Sequence, residues 1–94
     1  KFPSSSRDLN ILINQSYSYA EIEIVLLNSN IKFLHSLALA NTFEGKGIPD
    51  GSISMTLRFM FQSPIKSLQE SEINGSMDKA FHLLNKKLKA KIRS

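Results

Sequence analysis

From Arg7 to Ile13, Leu9, Ile11 and Ile13 alternate with Asp8 and Asn10, a period of two that predicts a strand with one buried face. Ser18-Tyr19-Ala20-Glu21 then has the spacing of a capping box. The serine oxygen can satisfy an orphan backbone amide while the glutamate reaches back to the cap. Ile22, Val25, Leu26 and Ser29 follow at helical spacing, so a helix of about three turns is expected here. Lys32 to Phe43 reads as a second strand, ended by a loop from Glu44 to Gly51 with three glycines and one proline. The third strand gives the strongest signal: Ile53, Met55, Leu57, Phe59 and Phe61 alternate with Ser52, Ser54, Thr56, Arg58 and Gln62, with only Met60 out of pattern. Ser63 to Lys66 turns the chain, and Ser67-Leu68-Gln69-Glu70 is a second capping-box pattern. Ile73, Met77, Ala80, Phe81, Leu84 and Leu88 mark one face of a longer helix. Gly75 within it costs about 1 kcal/mol relative to Ala. Lys89 to Arg93 alternates once more and predicts a last strand.

The order β-α-β-β-α-β is the ferredoxin-like pattern of the α+β class. Two helices cover one face of a four-stranded antiparallel sheet, with the first and third strands central. Alternation assigns Asn10, Ser54, Thr56, Arg58, Lys91 and Arg93 to the uncovered face. A sheet left bare on one side and lined with polar and basic groups is a common platform for single-stranded RNA. Many domains of this fold use the same face for dimerisation or for nothing, so the fold alone does not assign a function.

Composition narrows the field. Ninety-four residues are read as a single domain, residues 1–94, because two cores would leave each half too small. The chain does not begin with Met, which fits a piece of a longer protein. No apolar run approaches the roughly 18 residues needed to span a membrane, and with no cysteine there are no disulfides or thiolate metal sites. The net charge is +4, and six of the twelve basic residues fall within residues 79–93, with no acid after Asp78. Such a basic end suits a polyanion, nucleic acid first among them, or simply a solvated helix face and tail.

Several stretches, in order, resemble the anticodon-binding domain that closes phenylalanyl-tRNA synthetase β subunits. They are Phe2-Pro3 with Arg7-Asp8-Leu9, Leu39 to Gly45, Gly47 to Met55, Leu57 to Ser63, Ser67 to Asn74, and Ala90 to Arg93. The resemblance implies a module that grips the anticodon stem-loop of tRNA(Phe). Its parent would be a cytoplasmic α2β2 enzyme whose α subunit is catalytic and which charges tRNA using ATP and Mg²⁺. It implies no catalytic residue, cofactor or metal in this domain, and no membrane. Carried over by position, the RNA contacts are Asn10, Asn41, Phe43, Ser54 and Arg93. The family usually has aspartate and tyrosine where this chain has Asn41 and Phe43, and two lysines where it has Ser52 and Ile53. A carboxylate can accept both Watson–Crick donors of guanine, the first anticodon base of tRNA(Phe), whereas a carboxamide has one acceptor oxygen.

Each site residue also has a plainer reading. Phe43 suits a core aromatic closing the sheet, Asn41 a turn residue bonding its own backbone, Ser54 a solvated hydroxyl, and Arg7-Asp8 a structural ion pair at the start of the first strand. His35 and His82 have no carboxylate at metal-ligand spacing, and the glycine loop lacks the Gly-Lys-Ser/Thr ending of a phosphate-binding loop. The alternative function is a regulatory or dimerising ferredoxin-like module binding a small metabolite, for which a tight dimer in light scattering would speak. An acylphosphatase-type hydrolase shares the fold, but Asn14-Gln15-Ser16 stands where its phosphate-holding arginine loop belongs.

Overall fold

The computed structural model describes residues 2–93. In chain order the elements are β1 (Ser5–Asn14), α1 (Tyr19–Leu27), β2 (Leu34–Phe43), β3 (Ser52–Phe61), α2 (Glu70–Leu88) and β4 (Lys91–Ile92). The strands form one antiparallel sheet in the order β2-β3-β1-β4, with β1 and β3 central as the ferredoxin-like pattern requires. Ile11 and Ile13 of β1 and Met55, Leu57, Phe59 and Phe61 of β3 turn to the helices. There they meet Ile22 and Leu26 of α1 and Ile73, Ala80, Leu84 and Leu88 of α2. The rings of Phe59 and Phe61 lie nearly parallel with centroids 6.1 Å apart, two residues along the same face.

The helix starts follow local chemistry. Ser18 caps α1 as expected: the Glu21 amide donates to Ser18 Oγ at 3.3 Å and the Ser18 amide donates to Glu21 Oε1 at 3.1 Å. At α2 the expected box at Ser67 is not used. The helix opens two residues later, where the Gln69 amide donates to Glu72 Oε1 at 3.0 Å and Lys66 pairs with the same carboxylate. These contacts, the Lys66 ammonium first, hold Glu72 below the usual carboxylate range. The last strand is shorter than the expected Lys89–Arg93. Lys89 takes a left-handed conformation, φ 61° and ψ 25°, and ends α2, so pairing with β1 begins only at Lys91.

Arg7 and Asp8 do not pair with each other. Neighbours on a strand point to opposite faces. Arg7 reaches Glu70 at the start of α2, at 3.1 Å, while Asp8 lies on the uncovered face with Arg58.

Edge strand β2 carries two one-residue bulges. Leu34 faces Phe61 but Ser36 faces Met60, and Leu39 faces Leu57 but Asn41 faces Thr56, so His35 and Ala40 are each extra. A bulge reverses which side the following residues take. Leu37 and Leu39 therefore point with the core residues Phe59 and Leu57, whereas Asn41 and Phe43 point with Thr56 and Ser54 to the uncovered face.

Candidate nucleic-acid interface

Cross-strand register arranges the uncovered face in rows. One row runs Lys91, Leu12, Ser54, Phe43; the next runs Asn10, Thr56, Asn41; a third runs Asp8, Arg58, Ala38. Arg93 joins the second row, since its amide donates to the Asn10 carbonyl at 3.0 Å. From there its side chain reaches diagonally into the first row. Nη1 donates to Ser54 Oγ at 3.1 Å, and the guanidinium carbon sits 5.4 Å from the centroid of the Phe43 ring. The five residues expected at the site thus share one face and one corner of it.

Their environments differ. Phe43 is 42% exposed, an aromatic ring outside the core with a guanidinium over it. Ser54 is 2% exposed and is no solvated hydroxyl; it holds Arg93 in place. Asn41 lies within β2 rather than in a turn, and its side chain has no hydrogen bond among the described residues. Asn10 Oδ1 accepts the Thr56 hydroxyl at 2.6 Å, which leaves its amide N–H groups to face outward.

Arg58 is a different kind of cation. Its Nε and Nη2 donate to the two oxygens of Asp8 at 2.9 and 3.0 Å, and these hydrogen bonds hold the Asp8 carboxyl below its ordinary range. Charge on this face therefore rests on Lys91 and Arg93, which make no ion pair among the described residues. The basic end of the chain is divided by the fold. Lys79, Lys86 and Lys87 belong to α2, in the helical layer, and only the residues after it reach the sheet face.

Alternation placed Thr56 and Arg58 on this face, but sequence reasoning did not find what they bond, Asn10 and Asp8. Their partners are 46 and 50 residues away in sequence, so only the pairing register brings them together. Among the described residues no helix is long and apolar enough to cross a membrane, and no cluster of three or more His, Cys, Asp or Glu is arranged to hold a metal ion.

The sequence from residue 1 to 93 matches the family described as ferredoxin-fold anticodon binding domain. The chain is also similar to phenylalanine–tRNA ligase β subunits. It is 34% identical to that of Syntrophotalea carbinolica over 99% of this chain and 12% of the relative. It is likewise 34% identical to the one from Bacteroides thetaiotaomicron, over 99% and 11%, and 29% identical to the one from Clostridium tetani, over 99% and 12%. The chain thus spans about an eighth of the length of the curated relatives it matches. With the βαββαβ order, the central β1 and β3 and the family match along nearly all of its length, this chain belongs to the ferredoxin-fold anticodon-binding domains.

Proposed function

We propose that the chain grips the anticodon stem-loop of tRNA(Phe), as one module of a longer phenylalanine–tRNA ligase β subunit. The observation that carries this reading is the convergence of Phe43, Arg93, Asn10 and Asn41 on a sheet face that no helix covers. Phe43 offers a ring on which an unpaired base can stack. Arg93, steadied by Ser54, supplies a planar cation that stacks on bases and donates to phosphate. Asn10 presents donors, and Asn41 presents both a donor and an acceptor. Ser54, deep below Arg93, acts by positioning that side chain rather than by touching RNA. With Asn41 in place of a carboxylate, the site selects guanine less sharply than one that can accept two donors from the same base.

In the parent enzyme, the catalytic α subunit would perform ATP-dependent charging in an α2β2 assembly in the cytoplasm. This module adds affinity and orientation for tRNA and no reacting group. The test is a fluorescence-anisotropy titration of a labelled anticodon stem-loop over a salt series. The expected result is an affinity falling by roughly 0.7 log unit per log unit of salt for each phosphate contacted, and weakened by Arg93→Ala. Binding that ignores both salt and Arg93 would remove the proposal.

A further inference from the structure

At the end of the sheet where β1 finishes and β3 begins, three turns converge, residues 14–17, 49–52 and 88–91, and enclose a cleft of about 480 Å³. Four backbone donors of the first two turns are already used. Gln15 donates to Gly51, Tyr17 to the Asn14 carbonyl, Ser16 to Asn14 Oδ1 and Ser52 to Pro49. The positive charge in the lining comes from Lys89 and Lys91. Neither makes an ion pair or side-chain hydrogen bond among the described residues, and Asp50, also in the wall, lies beyond pairing distance of both. Two carbonyls of the last helical turns are already taken. Lys89 and Ala90 donate their amides to the Asn85 and Leu84 carbonyls, and Asn85 Nδ2 donates to the Ala90 carbonyl.

Two further features single out this cleft. Lys89 stands in the left-handed conformation at a helix end, φ 61°, where glycine is the residue of least strain, and it lines the cleft. Lys91, the other lysine, begins the row that runs through Leu12 and Ser54 to Phe43. Three strand spacings, roughly 14 Å, separate it from the aromatic platform. The cleft thus opens onto the face assigned above to the bases.

We propose that this cleft is a phosphate site, taking a backbone phosphodiester of the RNA whose bases lie on the sheet face. The inference rests on the RNA reading of that face, and the experiment separates the two. The stem-loop is titrated over a salt series against the parent chain, a Lys89→Asn/Lys91→Gln double variant, the single Lys91→Gln variant, and a Lys86→Gln/Lys87→Gln double variant. The two double variants remove equal charge, one pair at the cleft and one on the helical layer. Asparagine tolerates the left-handed conformation, and the single variant leaves Lys89 untouched should the double variant fold poorly. The expected result is that cleft variants lower the salt slope by about 0.7 per phosphate lost, a roughly fivefold weakening at 0.1 M relative to 1 M salt. The helix double variant should leave the slope unchanged. Equal effects from both pairs, or none from the cleft pair, overturn the proposal. If the parent chain binds no RNA, the reading of the sheet face fails and inorganic phosphate decides. Saturable shifts of the Asn14, Lys89 and Lys91 amide resonances would keep an anion site for free phosphate, and their absence would end it.

Discussion

Replacing Phe43 with alanine tests the interface at its most exposed aromatic group. In the free chain the ring touches little of the core, is 42% exposed and carries the Arg93 guanidinium 5.4 Å from its centroid. The substitution removes a cation–π contact worth about 0.5–1 kcal/mol at an exposed site, while the Ser54 hydrogen bond still tethers Arg93. A loss of about 1 kcal/mol lowers the melting temperature of a domain this size by about 4–8 °C. RNA binding should suffer more. Stacking of one base is worth about 1–3 kcal/mol, which converts to a roughly 5- to 140-fold rise in Kd. Phe43→Tyr keeps the ring and should bind within about twofold of the parent. Anisotropy titrations with one stem-loop at fixed salt, paired with thermal melts, separate binding from folding. If Phe43→Ala melts only slightly lower yet binds within twofold of the parent, the ring is not a stacking platform.

Three further outcomes follow from groups described above. Phe59→Ala should cost about 3–5 kcal/mol in denaturant unfolding, because the ring is fully buried against both helices; a loss below 1 kcal/mol would mean that the core is not packed as described. The Tyr19 hydroxyl is buried with no hydrogen-bond partner among the described residues, and burial, with the Glu23 carboxylate adding to it, pushes it up to about 12, so its contribution holds below its ordinary value near 10 and is lost as pH rises toward 12. Tyr19→Phe should match or exceed the parent by up to about 1 kcal/mol at pH 8 and flatten the alkaline limb of a stability profile, whereas clear destabilisation would reveal a missing partner. Asp8, lowered by Arg58, contributes stability that is complete above about pH 4 and is lost as pH falls through its lower folded value. Asp8→Asn should therefore flatten the melting-temperature profile below pH 4, and a profile parallel to the parent's would contradict the pairing.

The strands with clean alternation were legible because burial on one side leaves a period of two. Ile11 and Ile13, and Met55 through Phe61, follow it directly. Ser18 and Glu21 revealed the start of α1 because capping is chemistry within four residues. What stayed hidden was non-local. Glu72 rather than Glu70 caps α2, because Lys66 and the end of the preceding turn decide where the helix opens. The left-handed stop at Lys89 takes two residues from the expected last strand, and nothing in lysine's own preferences signals it. Asn10, Ser54 and Arg93 could be assigned to one face by alternation, but the depth of Ser54 could not. That depth comes from Phe43 of β2 and from Arg93, just past β4, closing over it.

The extra residue at Ala40 makes the recognition end of β2 a matter of parity rather than of identity. Upstream of it the strand serves the interior with Leu37 and Leu39; downstream the same strand serves the outside with Asn41 and Phe43. Swapping Ala40 for another small residue leaves that hand-over intact. Removing it would rotate both downstream side chains inward while every letter around them stayed the same. Among chains of this kind, a single-residue gap at this point would thus silence the platform more completely than any point change to the aromatic itself.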